Sequence, residues 1–406
     1  MLTPETITRE AARVHPRVVA IRRAIHREPE LGLVTPKTQT VITDELRRIG
    51  IESFALGGGC SSVRVDIEGR AAGPARKAGP AGKESPARCV ALRADMDALP
   101  LSEHADVEWT SRSAGRMHAC GHDGHVAMLL GAADILNAHR DEFSGTVRLL
   151  FQPGEEGYGG AEVMIREGSL AGVDSAFALH LEPSRSTRLV SLRRGTMLAS
   201  FDNFLVTFRG AGGHASTPHA TRDPIPAIGP FVDGLSHVVA REIDPDDRVV
   251  ISVTRVTAGT TDNVIPPTAE CLGTIRALTA TGRARARERL RRVAEGVASS
   301  RGLEIDIELH EGYPPTLNAP EIVEDVMRAA TRLELGVEDM RSPFMGAEDF
   351  SYMLERVPGA IAFLGCKTSG GGPLHSDLMK FDESALEVGT ALHVAVAMEL
   401  LGRRNP

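Results

Sequence analysis

The stretch MHACGHDGHVAM, residues 117–128, sets His118, Cys120, His122, Asp123 and His125 close together in a chain that has 14 histidines among 406 residues. Such donors can hold a first-row metal ion. Alternatively, Cys120 can act as a nucleophile with His122 or His118 as its base. A polar loop without chemistry is the third reading. More donors stand at or near the ends of predicted strands: Glu155 and Glu156 in FQPGEEG (151–157), His180 in DSAFALHL (174–181), and His375 in LHSD (374–377). Taken singly these are weak, since a strand-end histidine is more often structural and a tandem glutamate more often solvated charge. Together, Cys120, His122, Glu156, His180 and His375 offer one ligand more than a single four-coordinate site needs. Two ions sharing a bridging ligand, about 3.5–4 Å apart, use them better. The nucleophile reading leaves the glutamate pair, His180 and His375 without a task. Glu155 and Glu156 are expected in an extended segment, where neighbours project to opposite sides. One can then ligate while the other takes a proton from a bound water and later gives it to a leaving amine.

The elements that must position these groups follow from periodicity. Helix patterns run over about 5–27 and 36–50, and HVAMLLGAADILNAH (125–139) is apolar at helical spacing. Between them, SSVRVDIEG (61–69), RCVALRADMDALP (88–100), GTVRLLFQPGEE (145–156) and DSAFALHL read as strands. This alternation predicts an α/β fold, a mostly parallel sheet flanked by helices, with Asp95, Asp97, Glu155, Glu156 and His180 at strand carboxyl ends, where ligands bind. The segment 69–88, rich in Gly, Pro and Ala, reads as a loop insertion. From about residue 190 the order becomes β-α-β-β-α-β: strands at 197–213, 248–259, 269–278 and 303–313, and helices at 217–242 and 281–300. That is the split βαβ, ferredoxin-like plan of an α+β domain. Residues 191–313 are therefore expected as an insertion into a discontinuous α/β domain of residues 1–190 and 314–406. The latter closes with a helix at 321–336, a strand at 359–367 and a helix at 384–402.

Composition narrows the partners. A formal net charge of -8 gives no ground for nucleic acid, and the Arg-rich stretch 283–302 reads as the solvated face of a helix whose buried stripe includes Leu290, Val293 and Val297. The N-terminus lacks the order of a signal peptide, and no apolar run reaches the roughly 18 residues that span a bilayer. Five scattered cysteines are not a disulfide framework. A cytoplasmic protein with reduced thiols, binding neither nucleic acid nor membrane, is expected.

ALRADMDALP (91–100), MHACGHDGH (117–125), FQPGEEG (151–157), GGHAS (212–216), NVIP (263–266), GAEDF (346–350), LHSD (374–377) and HREPELG (26–32) together resemble the M20 metallopeptidase/amidohydrolase family. The resemblance covers nearly the whole chain, from about residue 15 to 400. It is nearest the branch of hippurate hydrolases, N-acyl-amino-acid amidohydrolases and auxin-conjugate hydrolases. It implies two divalent metal ions (Mn, Zn, Co or Ni) held by Cys120, His122, Glu156, His180 and His375. Glu155 is the implied general base for attack of metal-bound hydroxide on the amide of an N-acyl amino acid. The inserted domain is implied to be a dimerisation lid, giving a homodimer or a higher oligomer. His214 would reach the partner subunit's site and stabilise the oxyanion, while Asn263 and Arg276 would hold the substrate carboxylate. Where commoner family members carry a histidine two residues before the aspartate of the D-x-x-P motif, this chain has Asp95 before Asp97. Cys120 is then either a bridging thiolate or a ligand to one ion, and Asp97 orients a ligand histidine. A dipeptidase or carboxypeptidase of the same family, or a silent ligand-binding relative, are the alternatives.

Overall fold

The computed structural model describes residues 2–71 and 88–403, so most of the segment expected as a loop insertion, 72–87, lies outside the described residues. The chain begins with α1 (Pro4–Arg27) and α2 (Pro36–Arg48), each with proline in its first turn, where the missing N–H has no helical partner to lose. It continues through β1 (Ala55–Leu56), β2 (Val63–Glu68), β3 (Cys89–Asp95), α3 (His122–Ala138), β4 (Thr146–Gln152), α4 (Gly160–Arg166), β5 (Ser175–Glu182), β6 (Leu189–Leu192) and β7 (Gly195–Leu198). Next come β8 (Asp202–Arg209), β9 (Gly213–His214), α5 (Ile228–Arg241), β10 (Val249–Ala258), β11 (Val264–Ile265), β12 (Thr268–Ala277), α6 (Ala280–Ser299) and β13 (Glu304–Glu311). The last elements are β14 (Thr316–Asn318), α7 (Pro320–Arg332), β15 (Gly336–Asp339), α8 (Ser351–Leu354), β16 (Gly359–Gly365) and α9 (Ser384–Gly402). They divide into two compact units: Met1–Met197 with Leu317–Ser342 and Tyr352–Pro406, and Leu198–Thr316 with Pro343–Ser351.

In the first unit an eight-stranded sheet runs in the order β1-β2-β4-β3-β5-β16-β6-β15. The centre, β4-β3-β5-β16, is parallel, as is β6-β15, whereas β1-β2, β2-β4 and β16-β6 pair antiparallel. β3 and β16 are buried at every residue, which explains their mostly apolar character; the charged Arg93 and Asp95 of β3 pair with each other. Leu92, Phe151, Phe177 and Leu179 of the strands pack in one core with Met128, Leu129, Ile135 and Leu392 of the helices. Each such side chain contributes about 1.5–3 kcal/mol on full burial. Because β3, β4 and β5 are parallel, their carboxyl ends lie together, with Asp95 and His180 in the last residues of β3 and β5 and Asp97, Glu155 and Glu156 just past β3 and β4.

The second unit is a four-stranded antiparallel sheet, β10-β12-β8-β13, packed with α5 and α6 around Phe204, Phe208, Phe231, Leu235 and Leu290. Burial alternates strictly along β12, as expected of a sheet with one covered face. On α6 the buried stripe is Gly282, Ala286, Leu290, Ala294 and Ala298, with Val293 and Val297 at its border. Its arginines are held by carboxylates: Arg283 by Asp202, Arg287 by Glu311, and Arg289 and Arg292 by Glu242.

Several expectations shift. The boundary expected after residue 190 comes after 197, since β6 pairs with β15 and β7 with β14; the return expected at 314 comes at Leu317, and Pro343–Ser351, expected in the first unit, falls in the second. The helix expected over 321–336 stops at Arg332, and Gly336–Asp339 is β15 instead. The helix expected from 217 starts only at Ile228, since Pro218, Pro224 and Pro226 restrict the approach to short 3-10 turns. Among the described residues one helix, α9, has the length and average composition of a membrane span, although Glu387, His393 and Glu399 interrupt its apolar run. It is 78% buried and packs against α1, α3 and α7 as a core helix.

Candidate metal centre

Four segments of the first unit bring donors together. Cys120 Sγ lies 3.5 Å from His180 Nε2 and 3.3 Å from His375 Nε2. Glu156 Oε1 lies 3.2 Å from His375 Nε2 and 4.0 Å from His122 Nε2. Ligand atoms of Cys120, His122 and His180 fall within 4.8 Å of one another, and so do those of Cys120, Glu156 and His375, and of His122, Glu155 and Glu156. Cys120 is common to the first two groups. Local backbone makes this convergence feasible. Gly121, with φ 88°, turns the chain from Cys120 directly into α3. His375 holds the left-handed φ of 62° without being glycine, and its N–H is tied to Ala119 O at 2.8 Å. Such strain persists where surrounding contacts over-determine it.

Glu155 and Glu156 sit in a turn, not in the extended segment expected. Gly154 at φ 74° and Gly157 at φ 88° bracket that turn. One carboxylate holds the backbone of both glutamates: Asp97 Oδ1 accepts the Glu155 N–H at 2.9 Å, and Asp97 Oδ2 accepts the Glu156 N–H at 3.1 Å. Asp97 meets His122 through its backbone carbonyl, which accepts from His122 Nδ1 at 2.9 Å, while the carboxylate expected to orient it stays 3.6 Å away. A carbonyl only accepts, so Nδ1 of His122 carries a proton, and Nε2 is the nitrogen left to meet an ion once its own proton is displaced. That Nε2 is buried and has no hydrogen-bond partner among the described residues.

Charge in this pocket is unbalanced. Burial depresses His122, yet Asp95, Asp97 and Glu156 outweigh it and raise the imidazole to about 10. Burial, then Glu156, Glu155 and Asp95, push the Cys120 thiol well above its ordinary range. A lone thiolate nucleophile is thus disfavoured, whereas carboxylates and a thiol around an orphaned imidazole nitrogen are the donor set a divalent cation would satisfy. His118, the other base considered, is pushed down to about 3 by burial, and neither ring nitrogen has a hydrogen-bond partner among the described residues. Asp123 stands outside the donor cluster, its carboxylate 2.7 Å from Arg22 Nε and 2.8 Å from His26 Nδ1.

Residues 91–399 match the family model for peptidase family M20/M25/M40. The chain belongs to this family. It is 38% identical to thermostable carboxypeptidase 2 of Saccharolobus solfataricus, over 97% of this chain and 98% of that one. It is 36% identical to the N-acetylcysteine deacetylase of Bacillus subtilis, over 95% and 97% respectively. Among solved structures it is similar to a dinuclear metal binding peptidase of the M20 family from Bacillus subtilis, with a TM-score of 0.81 and 32% identity over 96% of this chain and 99% of that one.

The remaining residues expected at an M20 site, His214, Asn263 and Arg276, lie in the second unit. There β9 pairs with β11, setting His214 opposite Val264, and the Ala215 N–H donates to Asn263 O at 3.0 Å. The Ser216 N–H donates to His214 Nδ1 at 3.1 Å, with the Ser216 hydroxyl at 2.7 Å. A backbone N–H only donates, so this bond puts the His214 proton on Nε2. Arg276 lies in β12 with its guanidinium 4.4 Å from the Phe201 ring centroid. Two further residues, Ser216 and His125, contact this machinery without a role assigned from sequence. Ser216 has no signal beyond its place in GGHAS. His125 has one, since it falls three residues after His122 on the same helix and hence on a neighbouring face.

Proposed function

We propose that this chain is a metal-dependent amidohydrolase. It cleaves the amide between an acyl group and an amino acid, releasing a carboxylic acid and a free amino acid. The observation that carries the reading is the convergence of Cys120, His122, Glu156, His180 and His375 beside Glu155. These five side chains would hold two divalent ions (Mn, Zn, Co or Ni), with Cys120 common to both donor groups; the dinuclear relative supports that number. Ions bound there would polarise a substrate carbonyl and acidify water to a pKa of about 7. Glu155, buried and tethered through its N–H to Asp97, takes a proton from water as the oxygen bonds to the acyl carbon. It returns that proton to the nitrogen as the C–N bond breaks. His214 donates its Nε2–H to the developing oxyanion, and Asn263 with Arg276 binds the free carboxylate.

The second unit is proposed as the lid and dimer contact, with His214 serving the partner subunit's site. β10 is an edge strand exposing Val250 and Val256, a template for pairing with a second copy. All five cysteines are free, which supports a reducing, cytoplasmic setting. The similarity to a carboxypeptidase favours a second reading, peptide rather than acyl-amino-acid hydrolysis. Turnover of N-acetyl, N-benzoyl and indole-acyl amino acids, compared with dipeptides and longer peptides before and after chelation, separates the two. The proposal expects acyl substrates to be cleaved, activity to vanish with chelator and to return with added ion. Turnover of peptides alone would favour the carboxypeptidase, and chelator-resistant turnover would defeat both.

A further inference from the structure

β3 pairs with β5 only from Val90 opposite Ser175 to Arg93 opposite Ala178. Beyond that point the Leu181 N–H finds its acceptor in a side chain, His125 Nε2, at 2.9 Å. An N–H can only donate, so His125 Nε2 is a lone pair and its proton sits on Nδ1, which donates to Asp95 Oδ1. The other Asp95 oxygen is held by Arg93, whose Nε also donates to Gln152 Oε1 at 2.9 Å. On its other side, Leu181 accepts at its carbonyl from His180 Nδ1 at 2.8 Å. That bond leaves Nε2 as the lone-pair nitrogen of His180, and this is the atom 3.5 Å from Cys120 Sγ. His125 is 1% exposed, and its ring centroid is 4.7 Å from that of His180.

We infer that His125 is a positioning residue: through Asp95 and Arg93 it anchors the backbone of Leu181, which in turn aims the His180 ring. Ligand atoms of Asp95, His122 and His125 do lie within 4.8 Å of one another. Both His125 nitrogens are nevertheless engaged, so it does not ligate. Asp95, bonded to Arg93 and His125, is the base of the same relay. The inference rests on reading His180 as a metal ligand. Partners that orient a ligand imidazole in this way are worth about 10–100-fold in metal affinity.

The test is a cobalt(II) titration of the whole protein, followed by visible absorption including the thiolate-to-cobalt band, with circular dichroism and Tm as controls on folding. His125→Gln can place an oxygen where Nε2 accepts from Leu181, and it is expected to bind cobalt within a few-fold of wild type. His125→Asn is too short to reach Leu181, and His125→Leu has no acceptor; each is expected to weaken binding of an ion by about 10–100-fold and to shift the cobalt bands. If the Leu variant does not fold, the contrast between Gln and Asn decides. Cobalt affinity and spectrum unchanged in all variants, with only a lowered Tm, would reduce His125 to a packing role and overturn the inference. So would a Gln variant as impaired as the Asn variant. A wild type that takes up no cobalt defeats the metal reading itself, and this inference with it.

Discussion

In the first unit the rings of His122 and His125 are buried, and each is bonded to residues from other segments: His122 to Asp97 O, His125 to both Asp95 and Leu181. In the second unit His214 is exposed, and its ring nitrogen is bonded only two residues away, to Ser216. One ion pair from each unit shows the same contrast. Arg22–Asp123 is buried in the first unit, with side chains 2% and 0% exposed, while Arg209–Asp306 of the second is 51% and 54% exposed. The first unit thus presents a site already built, with donor orientation over-determined by its sheet ends. The second presents an exposed His214 and a half-buried Arg276, each oriented only by local contacts.

The largest effect should come from the built site. Glu155→Gln is expected to lower kcat by about 10²–10⁴-fold while metal content stays that of wild type, measured by steady-state kinetics alongside elemental analysis. A variant with near-normal kcat would remove Glu155 as the base.

Next is the buried ion pair behind the motif. Arg22→Met leaves Asp123 facing only His26 and should cost about 3–5 kcal/mol in urea unfolding. Burial alone would raise the Asp123 carboxyl, but Arg22 and His26 hold it well below the usual carboxylate range. A depressed folded value means its stabilisation is full above the unfolded carboxyl value, about 3.9, and drains away as pH falls below it. Asp123→Asn should therefore be less stable at neutral pH and lose less stability on acidification than wild type. An unchanged acid slope would show that other carboxylates control it.

Smaller effects are expected from the open unit. Ser216→Ala removes the hydroxyl contact to His214 but keeps the backbone one, so kcat should fall only a few-fold, about 0.5–1.5 kcal/mol for one hydrogen bond, with KM unchanged. A fall matching that of Glu155→Gln would mean that His214 is held far more tightly than its local contacts indicate. Least of all, Arg209→Ser should change unfolding free energy by about 0–1 kcal/mol. A cost approaching that of Arg22→Met would erase the contrast between the units.

The donors were legible in the sequence because their chemistry is carried by residue type: thiol, imidazole and carboxylate at strand ends, with Cys120 and His122 flanking the glycine that starts α3. The α/β alternation was legible because the strands are short, mostly apolar runs, unbroken in β16 and interrupted in β3 only by Arg93 and Asp95 near its carboxyl end. β6 and β15 were not, being four residues each and paired across a long stretch of intervening sequence, so no local pattern marks them. The glutamate turn was hidden for a different reason. Its geometry is imposed by Asp97, more than fifty residues upstream, accepting two backbone N–H groups. Likewise, the Asp97 carbonyl that orients His122 is a backbone atom, which residue identity does not reveal.

The central claim is that Cys120, His122, Glu156, His180 and His375 hold divalent ions beside Glu155. Anomalous diffraction from crystals of the active protein, recorded at the absorption edge of the metal that restores turnover, tests it most directly. The account predicts anomalous peaks enclosed by these five side chains. Peaks elsewhere with none at Cys120, or no peak in fully active protein, would contradict it.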